Sequence, residues 1–383
     1  MNTRRPRFEV HKAQKIAAVL LVVFLFQCLW LVSHLPLSMA ETRSALAGKS
    51  LWSSRQLANG TSPLIPGDSI LELRCAGLLP SLALHWPGSS NSFSIYAPPN
   101  RWLIRFPFVV FGVWLGAALW WVARRIFGNE GGYVALGLYC FSPAMLLASA
   151  TVGSGVLAAW GLFGLIYTAI GVAHTLYAPT RKWRPRIVLL GLAIGLTAAA
   201  SLPAAFVGLA FAAAFMLYLA PGRRVVSIAI LTISSVIGLF VLLLCFGFDP
   251  RDLSAAALLP SAEYFRLTSS RLMSFVAVPA GVLEILAFAS CLGVFILWRR
   301  ARYFGNSSAL IPAVLLPWWP GQFAPNASII CALPFALLFV GGIYADLLET
   351  HFSRGHFRRH VMATAVVLIG ASAIFGVMLV VRA

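Results

Sequence analysis

The stretch RFPFVVFGVWLGAALWWVARRIFGNEGGYVALGLYCFSPAMLLASA, residues 105–150, decides the fold. Two apolar runs, at 104–123 and 132–149, lie on either side of the basic pair Arg124 and Arg125. A membrane-spanning helix needs about 20 mostly apolar residues, because the hydrocarbon core is ~30 Å thick and a helix rises ~1.5 Å per residue. The stretch is therefore predicted to cross a membrane twice, with a basic turn between the crossings.

The rest of the chain repeats this pattern. Of its 383 residues, 60% are hydrophobic and 10% are charged, whereas soluble domains carry roughly 25% charged residues. This composition excludes a set of soluble domains and predicts an all-α polytopic membrane protein with a single transmembrane domain over residues 1–383. We predict about 11 transmembrane helices, at 16–34, 104–123, 132–149, 154–174, 187–202, 204–220, 225–247, 273–298, 308–319, 326–345 and 361–381.

The distribution of the basic residues predicts how the chain is oriented. The formal net charge is +18, and a nucleic-acid-binding protein could share that value. Most of the basic residues, however, fall in alternate loops, as expected of cytoplasmic loops in membrane proteins, and the intervening turns at 150–153, 201–203 and 320–325 have none. This pattern predicts a cytoplasmic amino terminus and an outer carboxyl terminus. It argues against nucleic acid as a partner, since no basic stretch lies in a foldable soluble module.

Cysteine and histidine show no metal-binding pattern. The 6 cysteines contain no CxxC and lie mostly within apolar runs, so they predict neither a disulfide framework nor a zinc site. Three of the 7 histidines occur together in HFSRGHFRRH (351–360), where neighbouring arginines disfavour a metal ion. We predict no metal site.

Two segments outside the predicted spans are long enough to form a functional site. The first outer loop, at 35–103, contains DSILELRCAGLLPSLALHW (68–86), which is predicted to form a helix capped by Asp68 or Ser69. We expect this helix to lie flat on the membrane with its apolar side in the interface. The second outer segment, at 249–271, carries acids and arginines. Together the two segments are predicted to cover the outer ends of the helices.

Glu284 is the acid that lies inside a predicted span. An ionisable residue in a membrane is costly and by default indicates a function or a buried partner. A protonated or hydrogen-bonded acid within the bundle is favoured over a proton relay, because the spans offer no second charge as its mate.

Four stretches, in this order along the chain, resemble the GT-C superfamily of membrane glycosyltransferases. The resemblance is to the branch that contains protein O-mannosyltransferases and the bacterial aminoarabinose transferases of lipid A. It implies interfacial helices in the first outer loop, a polyprenyl-phosphate sugar as donor, membrane lipids as partners and a location in the bacterial inner (cytoplasmic) membrane. The stretches are AETRSALAGKSLW (40–52), residues 105–150 above, GLAIGLTAAASLPAA (191–205) and FAPNASIICALPFALLFVGGIYADLL (323–348).

The resemblance also implies a catalytic site on the outer face, although several family residues are replaced. Ala40 stands where the family has an outer-loop aspartate, which leaves Glu41 as the candidate catalytic base. A base must take the proton of the acceptor hydroxyl, and cations must stabilise the leaving phosphate. No cofactor other than the lipid-linked donor is implied, and a metal requirement stays open. The candidate substrate-binding residues are Arg43, Arg74, Arg101, Arg105, Arg266 and Arg271.

Three functions remain open at this point. The first is a glycosyltransferase that moves a sugar from a polyprenyl phosphate to an acceptor on the outer face. The second is a catalytically inactive GT-C-like subunit or scaffold of a membrane complex, which the missing aspartate favours. The third is a transporter, for which Glu284 is the one supporting residue.

Overall fold

The computed structural model describes residues 12–52, 69–84, 98–177, 183–249, 253–254, 275, 277–318, 327–349 and 355–382. Within these ranges the chain forms thirteen principal α-helices and no β-strand. In chain order they are α1 (Lys12–His34), α2 (Met39–Trp52), α3 (Ile70–Leu84), α4 (Pro98–Phe141), α5 (Pro143–Ala150), α6 (Ser154–Thr175), α7 (Arg184–Ala200), α8 (Leu202–Leu219), α9 (Arg224–Cys245), α10 (Pro279–Leu297), α11 (Phe304–Leu315), α12 (Ala327–Glu349) and α13 (Gly355–Arg382).

The helices confirm the predicted all-α membrane class. Eight of them are long and apolar enough to cross a membrane. One of the eight, α4, has 44 residues and a break at Gly128. It contains the predicted run at 104–123 and the first part of the run at 132–149, whose remainder forms α5. Each of the other predicted runs coincides with a helix, although α7 and α11 have only 17 and 12 residues. The count of eleven spans therefore stays a prediction.

The predicted division of residues 187–220 into two helices at Pro203 is confirmed. Helix α7 ends at Ala200 and α8 begins at Leu202. The Ser201 hydroxyl accepts a hydrogen bond from the backbone N–H of Ala204 at 3.2 Å, which caps α8. Proline has no backbone N–H, and the N–H groups in the first turn of a helix have no partner within the helix, so Pro203 is compatible with the start of α8.

Helices α6 and α12 form the centre of the bundle. About four-fifths of the apolar window of each is buried inside the protein (78% and 83%), compared with 17% for α10 and α13. Helix α12 packs on α4, α6 and α11, and α6 also packs on α7 and α8. The rings of Phe163, Tyr167 and Phe335 join the two central helices, with a centroid distance of 5.3 Å between Phe163 and Phe335. The peripheral helices leave their apolar faces for lipid.

The break in α4 requires glycine. Gly128 has φ 79° and ψ −174°, a region that is essentially restricted to glycine. We expect Gly128→Ala to lower the free energy of unfolding by about 1–3 kcal/mol, measured by thermal denaturation in detergent. Gly370→Ala in α13 is the control, because a β-carbon there would meet nothing within 4 Å. Equal midpoints for the two variants would contradict this account of the break.

Two short helices, α2 and α3, are present in the first outer loop, as predicted. The Ser69 hydroxyl accepts from the N–H of Glu72 at 3.2 Å and caps α3, whereas Asp68 lies outside the described residues. The apolar side of α3, however, faces protein: Ile70, Leu73 and Ala76 are buried in the same core as the bundle. Since α3 packs on α2, α4 and α7, these side chains are not available to the membrane interface that was expected to receive them.

Candidate functional site

Glu41 is part of the cap at the start of α2. The Ser38 hydroxyl accepts from the N–H of Glu41 at 3.2 Å, and Oε2 of Glu41 accepts from the N–H of Ser38 at 2.8 Å. This reciprocal pair is a capping box, which satisfies two backbone N–H groups at the start of α2. The cap fixes the Glu41 side chain close to the first turn of α2 and turns it toward the bundle.

Arg105 of α4 meets this carboxylate in a bidentate ion pair. Its Nε donates to Oε1 of Glu41 at 2.8 Å and its Nη2 donates to Oε2 at 2.7 Å. Both side chains are buried, with 0% of Arg105 and 4% of Glu41 exposed. A buried charge is tolerated only when it is paired and hydrogen-bonded, and two parallel N–H···O bonds provide both.

The remaining N–H groups of Arg105 bind the turn between α1 and α2. Nη1 donates to the carbonyl of Leu35 at 2.8 Å and makes a longer contact of 3.4 Å with that of Val32. Nη2 also donates to the carbonyl of Pro36 at 2.8 Å. A guanidinium has five N–H donors, and these contacts use all of them. Arg105 was predicted to bind substrate phosphate, but here it has no donor to spare.

The Glu41 carboxylate also binds a third segment of the chain, besides α4 and the α1–α2 turn. Its Oε1 also accepts from the backbone N–H of Val152, in the turn between α5 and α6, at 2.9 Å. Burial alone would raise the pKa of Glu41, but the hydrogen bonds from Arg105, Ser38 and Val152 outweigh it and lower the pKa below its ordinary value. A carboxylate with a lowered pKa and four donors is a weak proton acceptor. The geometry thus gives Glu41 first of all a positioning role, and its role as catalytic base stays a prediction.

Arg101 differs from Arg105 in that its Nε has no hydrogen-bond partner among the described residues. It lies one turn earlier on the same face of α4. It is half-buried, and its Nε is buried without a hydrogen-bond partner among the described residues. A buried donor without an acceptor costs about 1–3 kcal/mol. Arg101 is therefore the candidate cation at this end of the bundle whose hydrogen-bonding capacity is open to an anion.

The other candidate arginines are placed differently. Arg74 of α3 donates from Nε to the carbonyl of Cys245, at the end of α9. Its guanidinium carbon lies 5.3 Å from the ring centre of Trp52, which itself donates to the Arg74 carbonyl at 3.0 Å. Arg43 is exposed on α2. Arg266 and Arg271 lie outside the described residues.

The Arg74 contact bears on the predicted cap of two outer segments. Helix α3 belongs to the first segment, and Cys245 lies four residues before the second one begins at Asp249. The Nη2 atom of Arg74 also lies near Gly247, 3.5 Å from the position of a β-carbon there. The start of the second segment is thus at the same end of the bundle as the first. Most of the second segment lies outside the described residues.

The sequence contained a signal for the Glu41 site that was not used. Ser38 and Glu41 form the pattern Ser-x-x-Glu ahead of a helix, which is typical of a capping box. That pattern predicts where α2 begins and that Glu41 faces back along the chain. The partner Arg105 follows 64 residues later, and no local pattern indicates it.

Glu284 lies in α10, and Ser142, between α4 and α5, is a polar neighbour of its carboxyl group. Its Oε2 is buried and has no hydrogen-bond partner in the described part of the chain. This fits the favoured expectation of a buried acid without a charged mate rather than a proton relay. Among the described residues, no group of three or more His, Cys, Asp or Glu side chains is placed to bind a metal ion.

The comparison with known proteins supports the fold but gives no sequence relative. No family model matches the chain, and no curated protein matches its sequence. The structure is similar to ArnT from Cupriavidus metallidurans in the apo state, with a TM-score of 0.62 and 14% identity over 96% of this chain and 74% of that chain. It is equally similar to ArnT bound to undecaprenyl phosphate, with a TM-score of 0.61 and 13% identity over 96% and 75% of the two chains.

A third solved structure extends the comparison. The oligosaccharyltransferase of Archaeoglobus fulgidus, in complex with zinc and sulfate, has a TM-score of 0.51 and 14% identity. The alignment covers 94% of this chain and 53% of that one, so this chain spans about half of its length. ArnT and the oligosaccharyltransferase are both GT-C glycosyltransferases. The GT-C-like fold predicted from the sequence is therefore confirmed.

Proposed function

We propose that the protein is a membrane glycosyltransferase that takes a sugar from a polyprenyl-phosphate donor. The proposed site lies where α2, α3 and the first turns of α4 meet, on the predicted outer face. The observation that carries the proposal is Arg101, a half-buried cation without a partner among the described residues. It lies in a fold shared with ArnT, which has been solved bound to undecaprenyl phosphate.

The chemistry explains why an unpaired arginine matters. In the transfer, the acceptor hydroxyl oxygen bonds to the anomeric carbon, and the bond from that carbon to the phosphate oxygen breaks. The phosphate leaves with the bonding electrons, so its charge increases in the transition state. Preorganised donors such as a guanidinium stabilise that charge without reorganisation. Arg101 can supply these donors, whereas Arg105 would first have to leave Glu41.

Glu41 and Arg105 act in this proposal as positioning residues. Their network joins the α1–α2 turn, the start of α4 and the α5–α6 turn at Val152. These three elements border the proposed site, so the ion pair fixes its shape. To accept the proton of the acceptor hydroxyl, Glu41 would have to give up at least one of its hydrogen bonds.

A specific observation favours a second function, that of a catalytically inactive GT-C-like subunit of a membrane complex. The carboxylate of Glu41, at the start of α2, already accepts hydrogen bonds from Arg105, Ser38 and Val152. The residue before it is Ala40, which offers no carboxylate. A protein of this kind would keep the fold and the lipid site but would not transfer sugar.

Arg101→Gln tests the proposed phosphate site. Hydrogen bonds to charged groups contribute about 1.5–3 kcal/mol each, so we expect undecaprenyl phosphate to bind roughly 10- to 100-fold more weakly, measured by native mass spectrometry of the purified chain. Arg358→Gln is the matched control, because Arg358 makes an exposed pair with Glu130. Unchanged binding in Arg101→Gln would remove Arg101 from the site.

A transfer assay with polyprenyl-phosphate sugars in membranes separates the two functions. If the wild type transfers sugar and Arg101→Gln does not, the enzyme is supported. If the wild type binds undecaprenyl phosphate but transfers no sugar to membrane lipid, glycan or protein, the inactive subunit is supported instead.

A further inference from the structure

A partly open cavity of about 580 Å³ lies at the other end of the bundle and is lined by α4, α6, α7 and α11. Arg125 lines it and is 20 residues further along α4 than Arg105. At ~1.5 Å per helical residue, the two arginines are separated by ~30 Å along the helix axis. The cavity is therefore about one membrane thickness away from the Glu41–Arg105 pair, at the end predicted to be cytoplasmic.

Two glycines of α6 leave this space open. Gly164 and Gly171 both line the cavity, and a β-carbon on either would meet nothing within 4 Å. They are seven residues apart, which puts them on one face of the helix. The surrounding wall is mostly apolar and includes Val122, Ile126 and Phe163. This part of the cavity has the apolar lining that a hydrocarbon chain requires.

Two arginines line the cavity. The guanidinium of Arg125 is exposed and lies 5.6 Å from the ring centre of Trp121. Arg186 of α7 donates from Nη1 to the carbonyl of Gly171 at 2.7 Å, and its other nitrogens have no described partner. His174 also lines the cavity, and no Asp or Glu occurs among its described lining residues.

Two hydroxyl groups add to this set. Tyr167 lines the cavity with 9% of its surface exposed, and Ser308, which also lines it, lies beside the Tyr167 hydroxyl. Buried hydroxyl groups are nearly always hydrogen-bonded in native proteins, and Ser308 is the neighbour available to this one. The two arginines point to a polar ligand group, and the apolar wall points to an attached chain.

We propose that this cavity binds a phosphate-bearing membrane lipid. The phosphate would lie between Arg125 and Arg186, and one hydrocarbon chain would lie over Gly164 and Gly171. A charged headgroup at a helix-bundle end and a chain within the apolar interior match the two parts of a bilayer lipid. This site is separate from the proposed sugar-transfer site, since none of the residues around Glu41 lines it.

Filling the cavity tests the proposal. Gly171→Leu places a side chain in open space, so the protein should fold while the chain is excluded. We expect purified Gly171→Leu to retain dioleoylphosphatidylglycerol at least about 10-fold more weakly than the wild type in native mass spectrometry, since a buried CH₂ contributes ~0.8 kcal/mol. Gly370→Leu in α13 is the control, and there binding should not change. Equal retention in Gly171→Leu and the wild type would overturn the proposal.

Charge and ligand identity are tested separately. Arg125→Gln should weaken binding of phosphatidylglycerol roughly tenfold or more, since a charged hydrogen bond is worth about 1.5–3 kcal/mol. Neutral dioleoylglycerol should bind weakly to the wild type and to all variants. If it binds the wild type as tightly as phosphatidylglycerol does, the proposal that the site binds a phosphate is overturned. Inorganic phosphate should not displace phosphatidylglycerol. If phosphate displaces it at the same concentration as the lipid, the proposal that the ligand is a lipid is overturned.

The two lipid sites can be told apart by crossing the variants. Gly171→Leu should leave undecaprenyl phosphate binding at Arg101 unchanged, and Arg101→Gln should leave phosphatidylglycerol binding unchanged. If Gly171→Leu removes the sites for both lipids together, the cavity is not independent and the proposal fails, whatever the result for sugar transfer.

Discussion

Replacing Glu41 with alanine is expected to lower the free energy of unfolding by about 3–5 kcal/mol, because it leaves a buried charge without its partner. That charge is Arg105, which is fully buried and donates hydrogen bonds to both carboxylate oxygens of Glu41 at 2.7–2.8 Å. The change also removes the acceptor of the Ser38 and Val152 N–H groups. Thermal or denaturant unfolding of the purified protein in detergent measures the loss.

The exposed pair Glu130–Arg358 provides the matched control. Its side chains are 44% and 53% exposed, with an N···O distance of 3.1 Å. Surface ion pairs contribute roughly 0–1 kcal/mol, so Glu130→Ala should change stability little. If Glu41→Ala costs no more than Glu130→Ala, the buried pair is not the structural anchor described above.

A double replacement separates the pair from the burial of its charges. Arg105→Met alone should also destabilise, because the Glu41 carboxylate is then left unpaired. Replacing both residues by apolar side chains should cost less than the sum of the two single changes, since an ion pair and a hydrophobic pair of similar volume are often close in energy. Additive losses would show that the two side chains do not stabilise each other.

The same pair predicts a pH dependence. Since the folded-state pKa of Glu41 is lowered, its contribution to stability is fully present above the unfolded-state pKa, which is about 4.3 for glutamate. It is lost as the pH falls through the folded-state value. We expect the stability difference between wild type and Glu41→Gln to be constant near neutral pH and to shrink below about pH 4.3.

More of the fold than of the candidate site could be predicted from the sequence. Apolar length and alternating basic loops depend on the solvent that each segment meets, which composition reflects directly. Residues 105–150 therefore indicated two crossings, whereas the continuity of α4 through Gly128 and the interruption of the second run at Ser142 were not expected. The burial of α3 was also not expected, because its apolar spacing fits a membrane interface and a protein neighbour equally well.

The site depended on contacts that no local pattern encodes. Both Arg101 and Arg105 lie near the start of α4, and both were predicted to bind substrate. Arg105 is occupied because the end of α1 and the α1–α2 turn present three carbonyls to it, whereas Arg101 has no such neighbours among the described residues. The open space over Gly164 and Gly171 is likewise a property of how α6 packs, not of glycine spacing, since Gly191 and Gly195 of α7 lie in tight contact with α9.

The crossing of α2 and α3 leads to the second large expected effect. Gly48 and Gly77 face each other where the two helices cross, and a β-carbon on either would overlap backbone atoms of the other helix. Backbone atoms cannot move aside as the end of a flexible side chain can. We expect Gly77→Val to destabilise the protein by about 3 kcal/mol or more, at the upper end of the usual cost of overpacking.

This expectation extends from stability to the proposed site. Helix α2 carries Glu41 and α3 carries Arg74, so a wider crossing must strain the contact of α2 with Arg105 or that of α3 with Cys245. Gly77→Val should therefore also weaken undecaprenyl phosphate binding, which Gly370→Val, whose β-carbon meets nothing within 4 Å, should not do. Unfolding in detergent and native mass spectrometry measure the two effects. A Gly77→Val protein as stable as Gly370→Val would mean that α2 and α3 do not pack at this distance, and the position of Glu41 would then need another explanation.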